Sequence, residues 1–127
     1  MAGAAVFAAV TVIEEDGLVE NSASLGEWML GRLRDMQEKY EFIGDVRGKG
    51  LLIGVELVKD RRTREPLDKA VCARLFKDGL DHGLISMVYN PHFRVNPPLS
   101  MDRSTAETAL EILEGTFARL SRAGGWR

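Results

Sequence analysis

The run Ile43–Val58, IGDVRGKGLLIGVELV, constrains this chain more than any other, because it is the longest β-like stretch. Leu51, Ile53, Val55 and Leu57 alternate onto one face, with the two-residue period of a strand. Leu52, Gly54, Glu56 and Val58 take the other face, which is also mostly apolar. A strand of that kind belongs in the middle of a sheet, covered on both sides. Gly48-Lys49-Gly50 supplies the positive φ angles of a tight hairpin turn, so Asp45-Val46-Arg47 is the expected partner strand. Gly54 has no side chain, which implies a bulge or the close approach of another group.

With 127 residues the chain accommodates one domain with a real core, and not two. A formal net charge of -2 gives no bulk attraction to nucleic acid or to an acidic membrane. Cys72 is the only cysteine, so no intrachain disulfide forms, and a lone thiol without a signal peptide fits a reducing cytoplasm. Ala2–Ile13 is apolar, but no Lys or Arg precedes it and Glu14-Glu15-Asp16 follows at once, unlike a secretory signal. It is also too short for a bilayer, which takes about 20 residues. A helix that is apolar around most of its circumference needs a covering surface. The small domain that follows offers too little, so that surface is expected outside this chain.

The elements read as follows. Ala4–Glu15 forms an alanine-rich helix, which Gly17 loosens, and Leu18–Asn21 bridges to a second helix over Ser22–Tyr40. Leu25, Trp28, Met29, Leu33, Met36 and Tyr40 give that second helix one apolar stripe. After the hairpin, Lys59–Pro66 (KDRRTREP) reads as a solvated surface turn. Leu67–Asp81 is a third helix with Val71, Cys72, Leu75, Phe76 and Leu80 facing inward, stopped by Gly83. Leu84–Val88 and His92–Asn96 are short strands around a Tyr89-Asn90-Pro91 turn, the second closed by Pro97-Pro98. Asp102 is the expected N-cap of the last helix, with Ser104 and Glu107 as a possible capping box. Ala106, Ala109, Leu110, Leu113, Phe117 and Leu120 make its buried stripe, and the tail beyond it frays unless Trp126 docks. The order is ααββαββα: an α+β fold in which a small, mostly antiparallel sheet of three or four strands is covered by helices.

No complete active site is visible. Gly48-Lys49-Gly50 fits neither a dinucleotide fingerprint nor a phosphate loop. No His, Cys or carboxylate spacing suits a metal. No nucleophile, base and acid can be assembled into a triad, so no catalytic residue is named. His82 ends a helix beside Asp81, where a helix C-terminus explains it structurally. Cys72 lies on an apolar stripe, as a small buried residue does. Lys39, Lys49, Lys59, Lys69 and Lys77 all stand in polar settings, whereas a Schiff-base lysine needs a desolvated pocket. Arg94 is different. It stands in Phe93-Arg94-Val95, just before a rigid Pro-Pro corner, and its guanidinium is a planar fork that matches a carboxylate. From the residues alone, a surface or salt-bridge arginine and a carboxylate anchor both remain open. His92, on the same strand, could support such a site.

VRGKGLLIGVELV at Val46–Val58, FRVNPPL at Phe93–Leu99 and the capped last helix together resemble the C-terminal domain of class III aminotransferases, which are pyridoxal-phosphate enzymes of fold type I. VIEEDGLVENSASLGEWMLGRLRDMQ is similar to the helix that leads out of that family's large domain. The resemblance implies that residues 1–17 form a helix packed on a large domain outside this chain, and that residues 18–127 form the small domain. It implies amino transfer between an amino acid or amine and a 2-oxo acid, in a homodimer. It also implies that Arg94, which matches the arginine of the F-R-x-x-P-P-L motif, binds the substrate carboxylate. The Schiff-base lysine, the aspartate facing the pyridine nitrogen, the phosphate loop and the stacking aromatic belong to the family's large domain. No cofactor-binding residue is therefore expected here, and the chain reads as one domain of an enzyme. Asn96 replaces the Ala or Ser often beside the prolines, and the Val88–Pro91 loop is short, which leaves substrate preference open. The rival reading is a non-enzymatic α+β module that binds a small acid or mediates dimerisation.

Overall fold

In the computed structural model, which describes residues 2–127, the Ile43–Val58 run is the centre of the sheet. Strands β1 (Ile43–Lys49) and β2 (Leu52–Asp60) form the expected hairpin, in a register that pairs Lys49 with Leu52. The loop is therefore Gly50-Leu51, one residue later than the glycine pattern suggested. Gly50 has φ +59° and Leu51 is not left-handed, the signature of a type II′ turn. Opposite β1, the other edge of β2 carries β3 (Glu65–Pro66) and β4 (His92–Val95), both antiparallel. Leu57 marks the handover between them: its N–H donates to the Pro91 carbonyl at 2.6 Å, and its carbonyl accepts from Leu67 N–H at 3.1 Å.

Helices α1 (Ala2–Glu15), α2 (Leu18–Lys39), α3 (Lys69–Asp81) and α4 (Arg103–Ala123) complete the α+β plan. Leu25, Met29, Leu33 and Met36 of α2 meet Val71, Cys72 and Leu75 of α3 and Leu110, Leu113 and Phe117 of α4 in one core. Ile53, Val55, Leu57, Val46 and Phe93 close that core from the sheet. Asp102 caps α4, accepting from Thr105 N–H at 2.7 Å. Trp126 does dock, its ring 5.3 Å from that of Phe42. Cys72 is fully buried, and burial pushes its thiol up to about 11, as suits an inert core residue.

Some elements differ from the sequence reading. Leu84–Val88 forms no strand; Ile85 is 84% exposed, and the fourth strand of the sheet is instead β3, cut from the charged Lys59–Pro66 run. That run is not only solvated turn, because Arg61 donates to the carbonyls of Tyr40 (3.0 Å), Glu41 (3.1 Å) and Gln37. A guanidinium at the last carbonyls of α2 satisfies groups that the helix leaves open. α2 begins at Leu18, so the bridging residues are its first turn, entered through Gly17 at φ +62°. Leu80 is 42% exposed, since Gly79 takes the buried position against Leu84. No residue of α1 is buried, and α1 touches only α2, leaving Val6 and Phe7 exposed.

Candidate functional site

The sheet covers the core with one face and leaves the other open. Side chains at paired positions share a face, so Arg47, Gly54 and Arg94 form one row across β1, β2 and β4, and Asp45, Glu56 and His92 form the next. The expectation that β2 is covered on both sides therefore fails within this chain. Leu52 on the open face is 59% exposed, whereas Leu51, Ile53, Val55 and Leu57 are buried. Nor, among the described residues, does Gly54 mark a bulge or receive a close approach. A Cβ built there would meet only Arg47, at 3.9 Å, and the register shifts lie near Ile43 and Val58. Its effect is to leave a gap in the row, between two guanidinium-bearing residues.

Most charges on this face are paired. Glu56 lies 3.2 Å from His92 Nε2 and 3.8 Å from Arg47, and Arg47 also meets Asp45 at 2.5 Å. Arg94 has neither an ion pair nor a side-chain hydrogen bond among the described residues, and it is exposed. β4 holds it at the sheet rim, three residues before the Pro97-Pro98 corner. A cavity of about 300 Å³ runs along the outer edge of β4, lined by Arg94, Ile85, Met87, Pro97, Pro98 and Met101. Two larger hollows, of about 540 and 570 Å³, lie at the Trp126–Arg127 tail and the Lys59–Arg62 loop, far from Arg94 in the fold.

Other residues singled out by the sequence are structural here. His82 Nδ1 sits 2.9 Å from Asp78, and Arg119 grips the same carboxylate at 2.7–3.0 Å, tying α3 to α4. The Arg119 guanidinium holds the Asp78 carboxyl below the usual carboxylate range. No cluster of three or more His, Cys, Asp or Glu fit for a metal occurs among the described residues.

The five lysines do not fit an aldehyde cofactor. Lys39 pairs with Glu114 at 2.8 Å and Lys59 with Asp68 at 2.9 Å, and both pKa values are raised by those hydrogen bonds. A carbonyl-attacking amine needs the opposite shift. Lys77 pairs with Asp81 at 3.1 Å, and Lys49 and Lys69 are exposed. Among the described residues, then, no lysine is set up as a Schiff-base amine.

One functional group went unnoticed in the sequence. Asn21, inside a helix, donates from its amide to the carbonyls of Leu99 (2.6 Å) and Met101 (3.0 Å), just beyond the Pro-Pro corner. A poor helix former in a first turn was the available signal.

Fold and site together define a small α+β domain with one exposed, unpaired arginine on an uncovered sheet face. The family described as aminotransferase class-III matches residues 1–117, and the chain belongs to that family. It is 43% identical over 115 residues to an alanine/serine racemase of Pyrococcus horikoshii, covering 87% of this chain and 23% of the racemase. It is 48% identical over 82 residues to a taurine–pyruvate aminotransferase of Rhodobacter capsulatus, covering 65% of this chain and 18% of that enzyme. The fold matches an amine transaminase from an uncultivated Pseudomonas species, solved in its PLP-bound form, with TM-score 0.83 and 36% identity, over 91% of this chain and 27% of that one. The chain thus spans about a quarter of the length of such relatives, and they include racemases as well as transaminases.

Proposed function

We propose that this chain serves as the small domain of a pyridoxal-phosphate-dependent aminotransferase, and that Arg94 holds the carboxylate of the amino acid or 2-oxo acid. The observation that carries the reading is the unpaired state of Arg94 on the open sheet face, where its neighbours Arg47 and His92 are both engaged by carboxylates. The strand and the two prolines hold the backbone of Arg94 in place, and its unpaired guanidinium stays available to fork onto a carboxylate.

The large domain supplies the Schiff-base lysine and the rest of the cofactor site, consistent with the paired or exposed state of all five lysines here. It covers the open sheet face and the apolar α1, whose Phe7 is 75% exposed. The assembled enzyme is a homodimer in the cytoplasm. No helix among the described residues is long and apolar enough to cross a membrane.

The test is kinetic. In the complete enzyme carrying these residues, Arg94→Ala raises KM for the acid substrate about ten- to a hundredfold, the worth of a charge-assisted hydrogen-bond pair. Cofactor affinity stays unchanged. A KM that does not move removes Arg94 from the site. A second measurement addresses the isolated chain: pyridoxal phosphate followed by borohydride labels no single lysine stoichiometrically. Such labelling would place a cofactor site in this chain and defeat the division of labour.

A further inference from the structure

We infer that Asn21 is a positioning residue for Arg94: its side-chain amide clamps the segment that leaves β4, and so fixes where the guanidinium stands. The inference rests on the reading of Arg94 as the carboxylate anchor.

β4 is four residues long and pairs on one edge only, with β2. Beyond it the chain runs through Asn96–Met101 without helix or strand. Pro97 and Pro98 have no N–H to donate, so the backbone there cannot tie itself to a neighbour through them. The one backbone bond within it, Met101 N–H to the Pro98 carbonyl at 3.0 Å, is local. Among the described residues, Asn21 is the only side chain that hydrogen-bonds to this stretch. Its amide reaches the carbonyls of Leu99 and Met101 across 78 and 80 residues of sequence. A primary amide carries two N–H donors, and both are spent here.

The next residue extends the clamp to the other side of Arg94. Ser22 Oγ accepts from Leu51 N–H at 3.0 Å, at the tip of the β1–β2 hairpin. Four residues on, Gly26 lies against the Gly50 backbone, where a Cβ would come within 2.0 Å of the carbonyl oxygen. One end of α2 therefore pins both the strand that carries Gly54 and the chain that leaves Arg94. Gly17, at φ +62°, sets the entry to that end, and its carbonyl accepts from Asn21 N–H at 3.0 Å. Ångström-scale drift of a binding group weakens catalysis steeply. Val95 and Met101 pack against the core, but among the described residues no other side-chain hydrogen bond holds the strand's exit.

Two substitutions test the clamp. Asn21→Asp keeps the shape but replaces the NH2 group with one oxygen that faces both carbonyl oxygens; Asn21→Ala removes the donors without adding charge. In the complete enzyme, both raise KM for the amino acid substrate about tenfold, with kcat nearly unchanged. KM for the corresponding carboxamide, which has no carboxylate for Arg94, moves less than twofold. Equal losses on the acid and its carboxamide would reduce Asn21 to a general stabilising role and overturn the inference. Arg94→Ala, measured alongside, separates the two readings: if it leaves KM alone, the carboxylate anchor fails whatever Asn21 does. The clamp itself is read without activity, by amide hydrogen exchange in the 127-residue chain. Either variant speeds exchange at Phe93 and Val95 at least tenfold, while the amides of Leu110 and Leu113 keep their protection. Unchanged exchange in β4 overturns the clamp directly.

Discussion

Two glycines of α2 give opposite expectations for the same substitution. A Cβ on Gly26 would stand 2.0 Å from the Gly50 carbonyl oxygen and 2.1 Å from its carbon. That is roughly 1.5 Å inside an ordinary contact. Both sides are backbone, so no flexible side chain swings away. Gly26→Ala must push α2 off the hairpin or drive Gly50 out of its left-handed turn. Overpacking costs about 1–3 kcal/mol, and the gain from alanine's helix propensity is about 1 kcal/mol. With rigid partners the upper end applies, leaving a net loss of about 2 kcal/mol. For a chain of this size that lowers Tm by roughly 6–12 °C. Gly31, on the same helix, has nothing within 4 Å of its would-be Cβ. Gly31→Ala therefore stabilises by about 0.5–1 kcal/mol. Thermal and urea unfolding, followed by circular dichroism, rank the three proteins with Gly31→Ala highest and Gly26→Ala lowest. A Gly26→Ala variant as stable as the parent would refute the reasoning, because it would mean that helix and hairpin do not touch backbone to backbone.

Two further expectations concern titrating groups. The Cys72 thiol, at about 11, is roughly one part in a thousand thiolate at mildly alkaline pH. A disulfide reagent therefore modifies it only at the rate of unfolding, and fast reaction in the native chain would contradict its burial. Asp78 is held below the usual range, chiefly by the hydrogen bond from Arg119. Its native pKa lies below its unfolded one, so its contribution is complete above about pH 4 and fades as pH falls through the native value. Asp78→Asn accordingly lowers Tm near neutrality, and the gap to the parent closes in acid; a gap that widens below about pH 4 has the wrong sign.

Much of the fold was legible because its causes are local. The stripe Leu25, Met29, Leu33, Met36 buries itself, the Asp102 cap forms, and Gly83 stops α3 at φ +94°. Each depends on residues within a turn or two of one another. The strand expected at Leu84–Val88 failed for a non-local reason: a strand exists only through its partner, and the outer edge of β4 runs beside a cavity rather than a ladder. Glu65–Pro66 became a strand in the same way, because Val58 and Asp60 offered a free edge. Leu80 shows the smaller version of that effect, losing its buried place to Gly79 once Leu84 packed there.

By itself the sequence determined the α+β plan, the central strand, the caps, the inert Cys72 and the prominence of Arg94. These follow from side-chain period, backbone permissiveness and residue chemistry, which neighbours along the chain settle among themselves. Only the tertiary structure decided which sheet face stays bare, that Arg94 stands on it unpaired while Glu56 occupies Arg47 and His92, and that Asn21 reaches the chain beyond β4. Those contacts join residues far apart in sequence, and their energies depend on distances that no local pattern encodes.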